Sequence, residues 1–175
     1  MPIKTIFLDR DGVINEEVEY LSKIKDFKFI KGVFEACAYL SSLGYKLIII
    51  TNQSGIAREL LSEHDFDQIS KWMINQFTKN GVTILDIFHC PHHPKSGCIC
   101  RKPKPGMLLN AKEKYNVDMK NSWLIGDKEN DVKAANNAGI RNTILVRSGH
   151  NIDELNSKSS FILNSIKEVN QAIKK

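Results

Sequence analysis

At 175 residues, with 42% hydrophobic and 26% charged side chains, the chain fits a single domain over residues 1–175 and can bury a substantial core. No apolar stretch approaches bilayer-spanning length, and Asp9 and Asp11 interrupt the N-terminus before a signal segment could form, so a cytoplasmic protein without membrane association is expected. The formal charge of +5 comes from lysines scattered among acids. Such a surface favours small anions and lacks the basic block of a nucleic-acid interface.

In chain order, Lys4 to Leu8 reads as a short buried strand that runs into Asp9-Arg10-Asp11-Gly12. Residues i and i+2 of an extended segment point the same way, so Asp9 and Asp11 can face one substrate while Arg10 points elsewhere and Gly12 turns the chain. One carboxylate can attack and the other can carry a proton. A short flap around Asn15 to Phe29 follows, and then a helix from Val33 to Leu43 that ends before Gly44. The next strand, Lys46 to Ile50, enters Thr51-Asn52-Gln53-Ser54-Gly55. Ser62 with Asp65 three residues later is a capping box opening a helix to about Lys79.

The third strand, Ile84 to His89, leads into a cysteine-rich loop and then Arg101-Lys102-Pro103-Lys104-Pro105-Gly106. A helix from Met107 to Tyr115 precedes the strand Ser122 to Ile125, which enters Gly126-Asp127-Lys128-Glu129-Asn130-Asp131. A helix from Asp131 to Ala138, a strand from Asn142 to Val146 and a terminal helix from Ser165 to Ile173 complete the pattern. Strands alternating with helices predict an α/β fold with a parallel sheet, whose chemistry gathers at the carboxyl ends of the strands.

Three of the four cysteines lie between Cys90 and Cys100, whereas Cys37 falls on the apolar face of a predicted helix and reads as core. Cys90, Cys98 and Cys100, with His92 or His93, supply three thiolates and an imidazole, enough for a closed tetrahedral zinc site. A disulfide would leave one cysteine of the loop unpaired. A loop this poor in apolar side chains could take its folding energy from the metal.

The ordered set Asp-x-Asp-Gly, Thr-Asn-Gln-Ser-Gly, Arg-Lys-Pro and Gly-Asp-Lys-x-x-Asp resembles the haloacid dehalogenase superfamily of aspartate-nucleophile phosphatases. Cys90-Pro91-His92-His93-Pro94 and Cys98-Ile99-Cys100 are similar to the loop of its zinc-containing branch, which acts on heptose bisphosphates and histidinol phosphate. The similarity runs from about Ile3 to about Gly149, with a shorter gap between His92 and Cys98 than in many relatives. It implies a Rossmann-like three-layer sandwich with a mostly parallel central sheet, a zinc-stabilised loop and no large cap domain. The forty or so residues between Asp11 and Thr51 leave room only for the flap and one helix.

The resemblance assigns roles residue by residue. Asp9 would be the nucleophile, Asp11 the general acid and base, and Thr51 and Lys102 would hold the phosphoryl oxygens and balance their charge. Magnesium would be bound by the side chains of Asp9 and Asp127 and the main-chain carbonyl of Asp11. Zinc would take Cys90, His92, Cys98 and Cys100, the family pattern selecting His92 over His93. Substrate recognition would fall to Glu17, Val18, Glu19 and Tyr20 on the flap, and to Asn52, Gln53, Ser54, Arg101 and Lys128. Lys128 could also pair with Asp9. Asp131 reads as a helix cap or a support outside the first ring of ligands, and Lys104 as solvated.

The expected activity is removal of the 7-phosphate from a D-glycero-D-manno-heptose 1,7-bisphosphate, a small phosphorylated sugar, by a monomer that supplies heptose for surface polysaccharide. Histidinol-phosphate phosphatase is the enzymatic alternative. A zinc-stabilised binding module with a degenerate catalytic site is the alternative from another class.

Overall fold

A computed structural model describes residues 1–174. Its centre is one sheet of six strands: β1 (Thr5–Leu8), β2 (Lys46–Asn52), β3 (Ile84–Cys90), β4 (Trp123–Gly126), β5 (Asn142–Val146) and β6 (Phe161–Leu163). The spatial order is β3-β2-β1-β4-β5-β6, and each neighbouring pair is parallel. The chain leaves β1 toward β2 and β3, then returns to the other side of β1 with β4. That reversal opens a crevice at the carboxyl ends of β1 and β4.

Four α-helices cover the sheet: α1 (Val33–Ser42), α2 (Glu63–Lys79), α3 (Gly106–Tyr115) and α4 (Glu129–Ala138). Side chains alternate along the strands and build two cores. Ile6, Leu8, Leu47 and Ile49 pack with Val33 and Leu40 of α1 and Ile69, Met73 and Phe77 of α2, while Phe7, Ile48 and Ile50 pack with Leu108 and Ala111 of α3 and Ala134 and Ala135 of α4. Helices on both faces of a parallel sheet make the expected three layers. The inner strands β1, β2, β4 and β5 are buried on both sides over most of their length and therefore read as largely apolar runs, whereas the edge strands β3 and β6 are only partly buried.

The predicted capping box is present. Asp65 N–H donates to Ser62 Oγ at 3.0 Å, and Ser62 N–H to Asp65 Oδ2 at 2.8 Å, a start worth about 1 kcal/mol. Among the differences from the sequence reading, three bear on the site and the packing. α4 begins at Glu129, two residues early, with Asp131 inside its first turn. β6 was not expected, since three residues are too few to carry a periodicity. The terminal helix is a 3-10 helix over Ile166–Gln171. Its buried Ile166 and Val169 lie three apart and pack beside α1, the repeat at which 3-10 side chains stack.

Between β1 and α1 stands only the flap. Its base is closed by Glu16 N–H to Lys28 O and Ile30 N–H to Ile14 O, each 2.8 Å, and Phe27 and Phe29 anchor it against Trp72 of α2. Among the described residues no helix is long and apolar enough to cross a membrane.

Candidate active site

The crevice is a cleft of about 240 Å³ whose walls include Asp9, Asp11, Thr51, Arg101, Lys102 and Asp131. Also on its walls are Glu17, Val18, Glu19 and Tyr20 from the flap, Asn52, Gln53 and Ser54 from the end of β2, and Lys128. Every catalytic and substrate-binding residue expected from the sequence therefore borders one space. The common cause is the parallel sheet, which delivers each post-strand loop to the same end.

Asp9 leaves β1 with its N–H bound to Ile125 O of β4 at 2.9 Å. Lys102 Nζ lies 3.0 Å from Asp9 Oδ1 and 2.7 Å from Asp131 Oδ1, and donates to Ile50 O at 3.1 Å. Burial pushes the Asp9 carboxyl well up; Lys102 pulls it back, and Asp131, Asp127 and Asp11 push it further. Burial alone would lower the Lys102 ammonium, but Asp131 and Asp9 hold it above the ordinary lysine range. The ion pair to Asp9 thus belongs to Lys102. Lys128, which the sequence left free to take that role, is exposed on the rim and makes no ion pair among the described residues.

Arg10 corrects the sequence reading. Instead of pointing away, its buried guanidinium folds back and grips the next carboxylate, with Nη2 3.0 Å from Asp11 Oδ1 and 3.1 Å from Oδ2. Asn15 Nδ2 and Gln53 Nε2 also donate to Asp11, each at 3.0 Å. Burial raises the Asp11 carboxyl, but Arg10, Asn15 and Gln53 together bring it below the ordinary range. Gln53 donates as well to Thr51 Oγ1 at 2.8 Å, and Asn52 binds the main chain of Lys102 through Oδ1 at 3.1 Å and Nδ2 at 3.2 Å. Both side chains that the sequence offered for recognition therefore also brace catalytic candidates.

Asp127 is fully buried behind Gly12 and Gly149, where a Cβ on either glycine would collide with its carboxylate. Its Oδ2 accepts from His150, whereas Oδ1 is buried with no partner. Oxygens of Asp9, Asp127 and Asp131 lie within 4.8 Å of one another. Asp131 is already committed: besides Lys102, it accepts from the N–H groups of Asp127 and Lys128, each at 3.1 Å. It joins the supporting role and the capping role that the sequence kept open.

The second cluster is Cys90, His92, Cys98 and Cys100. His92 Nδ1 is 3.5 Å from Cys90 Sγ and 3.1 Å from Cys100 Sγ, and Cys90 Sγ is 3.6 Å from Cys98 Sγ. His93 is turned to its own loop, accepting from Lys95 N–H at 3.1 Å. Lys104 is exposed but not merely solvated, since Nζ donates to Gly97 O at 2.9 Å and Cys98 O at 2.8 Å. Cys37 is buried in the core, where desolvation pushes its thiol up to about 12.

Sequence reasoning missed Arg10, Asn15, Gly149 and His150. His150 stands 23 residues after Asp127 in a loop after β5 that carries no motif, so only the folded chain brings it to the site.

The HAD-hydrolase-like family model matches residues 99–169. The D-glycero-beta-D-manno-heptose-1,7-bisphosphate 7-phosphatase of Vibrio cholerae serotype O1 is 48% identical over 172 residues, covering 94% of this chain and 92% of its own. The D-glycero-alpha-D-manno-heptose-1,7-bisphosphate 7-phosphatase of Campylobacter jejuni is 51% identical over 146 residues, covering 83% of this chain and 84% of its own. Among solved structures, the D,D-heptose 1,7-bisphosphate phosphatase of B. bronchiseptica, complexed with magnesium and phosphate, superposes with a TM-score of 0.85 at 30% identity over 97% of both chains. Similarity of this extent over nearly the whole chain means that it belongs to the heptose-bisphosphate phosphatase family of haloacid dehalogenase-like phosphoric monoester hydrolases.

Proposed function

We propose that this chain hydrolyses the 7-phosphate of a D-glycero-D-manno-heptose 1,7-bisphosphate by way of an aspartyl-phosphate on Asp9, acting as a cytoplasmic monomer. The observation that carries the reading is the meeting of Asp9, its Lys102 partner and the buried Asp127, whose Oδ1 has no partner, with carboxylate oxygens of Asp9 and Asp127 within 4.8 Å of each other. The relatives' names supply the sugar.

An all-oxygen donor set with a buried, unpaired carboxylate oxygen fits magnesium. The side chains of Asp9 and Asp127 and the Asp11 carbonyl would hold it, and the B. bronchiseptica neighbour is complexed with that ion. Bound there, magnesium would offset the repulsion between the carboxylates and the incoming phosphate. Asp9 attacks phosphorus; the bond from phosphorus to the sugar oxygen breaks, and that oxygen takes its electron pair and a proton from Asp11. Water then attacks the acyl phosphate, gives its proton to Asp11, and releases phosphate and Asp9.

The Arg10 grip favours the ionised Asp11 that this second step needs. Donation to the sugar oxygen needs the protonated form, which the proton taken from water in the second step restores for the next turnover. Lys102 balances charge on the transferring phosphoryl group, Thr51 donates to its oxygens, and Arg101 takes the second phosphate through a fork that lysine lacks. The Cys90, His92, Cys98 and Cys100 cluster fits structural zinc, which would pin the loop leading directly into Arg101 and Lys102.

Turnover of both heptose bisphosphate anomers and of histidinol phosphate, measured side by side with magnesium, tests the reading. We expect kcat/KM on a heptose bisphosphate to exceed that on histidinol phosphate by at least about 100-fold, the scale on which a lost charged contact discriminates. Equal or better turnover of histidinol phosphate would replace it.

A further inference from the structure

The Asp127 carboxylate is asymmetric. Oδ2 accepts twice from one residue, from the His150 main-chain N–H at 3.0 Å and from His150 Nδ1 at 2.6 Å, while buried Oδ1 accepts from nothing. A carboxylate can only accept, so the imidazole proton sits on Nδ1. The loop that presents His150 is itself fastened beside Asp9 and Asp11. Ser148 Oγ donates to Gly12 O at 2.7 Å, and the bare Cα atoms of Gly12 and Gly149 let the carboxylate lie flat between the two turns. Glu17 of the flap stands 3.9 Å from the same imidazole nitrogen, so the contact also touches the wall that faces substrate.

We infer that His150 is a positioning residue for the divalent cation: its two donors hold Asp127 by Oδ2 and turn Oδ1 toward the ion. The inference rests on the assignment of the cation to Asp9 and Asp127 made above. Hydrogen bonds that fix a ligand's free oxygen remove the rotation that would otherwise have to be frozen when the metal binds, and their loss weakens metal affinity about 10-fold to 100-fold. No catalytic contact is required of His150. Its loss therefore acts on metal affinity more than on the chemical step.

The test is a titration of the substrate-free protein with Mn²⁺, followed by electron paramagnetic resonance, on wild type, His150→Ala, His150→Asn and Asp127→Asn. His150→Ala should bind Mn²⁺ about 10-fold to 100-fold more weakly, with the half-saturating magnesium concentration for turnover rising in parallel and kcat at saturating magnesium falling far less. An asparagine amide hangs its N–H from the same Cγ position as Nδ1, so His150→Asn should recover most of the affinity. The imidazole is 39% exposed, and a melting temperature near wild type for His150→Ala separates these effects from misfolding. Wild-type Mn²⁺ affinity in His150→Ala, alongside its loss in Asp127→Asn, would overturn the inference and leave the cation assignment standing. Wild-type affinity in Asp127→Asn would overturn the assignment itself.

Discussion

Lys102 Nζ lies 3.0 Å from Asp9 Oδ1, and both side chains are nearly buried. The pair aims the lysine at the oxygen neighbour of any phosphoryl group carried by Asp9, while Asp131 at 2.7 Å fixes its other side. Arg101, one residue earlier, lines the same cleft without a carboxylate partner among the described residues. Adjacent cations thus have different work. Lys102→Ala should depress kcat on bisphosphate and simple monophosphate alike by about 100-fold to 1000-fold. It should also destabilise the fold by about 3 to 5 kcal/mol, because Asp9 and Asp131 lose their buried counter-charge. Arg101→Ala should mainly raise KM for the bisphosphate, and steady-state kinetics on both substrates separates the two. Equal losses of kcat for both variants on both substrates would mean that the residues act as one unit.

The Arg10 grip on Asp11 has a pH signature. Asp11 is lowered in the folded chain, so the contribution is fully present above the unfolded carboxylate value and is lost as pH falls through the lowered folded value. Arg10→Met should cost about 1.5 to 3 kcal/mol near neutrality, the range for hydrogen bonds to a charged group. The gap in melting temperature between wild type and variant should narrow as melts are taken at progressively lower pH. A gap that stayed constant through the acid range would show that Arg10 stabilises by packing alone, through its place 5.8 Å from the Phe66 ring.

Zinc should act at a distance from the chemistry. Elemental analysis of protein purified without added metal should find about one zinc per chain, as one four-ligand site requires. Cys98→Ser should lower that content and cut activity by displacing Arg101 and Lys102, which directly follow Cys100 in the chain. A zinc-free wild-type protein with full activity would remove zinc from the account.

The centre of the sheet was legible because its inner strands are buried on both faces. Apolar runs such as Leu47 to Ile50, each ending in a polar cluster, mark both the strand and the end where chemistry collects. Asp9, Asp127 and the cysteine loop could be read for the same reason, since each sits directly after a strand. What escaped has no local pattern. Arg10 follows strand alternation for its Cα, but four bonds of side chain let its guanidinium return to Asp11, and alternation says nothing about where a long side chain ends. His150 reaches Asp127 only because β4 and β5 are neighbours in the sheet. Gln53 and Asn52 were placed at the site correctly, yet their bonds to Asp11, Thr51 and Lys102 depend on the meeting of three loops.

The whole mechanism depends on the Asp9 carboxylate receiving the phosphoryl group. Asp11→Asn keeps the nucleophile; it slows formation of the adduct by losing the acid, but it also cannot deprotonate the water that clears it, so the adduct that forms should persist long enough to be caught. Rapid acid quench of Asp11→Asn with heptose bisphosphate and magnesium, followed by mass spectrometry of the peptide containing Asp9, should show the added mass of one phosphoryl group on Asp9. Asp9→Asn should show neither the adduct nor turnover. Near-normal turnover by Asp9→Asn, with no adduct on Asp9 in Asp11→Asn, would contradict the mechanism.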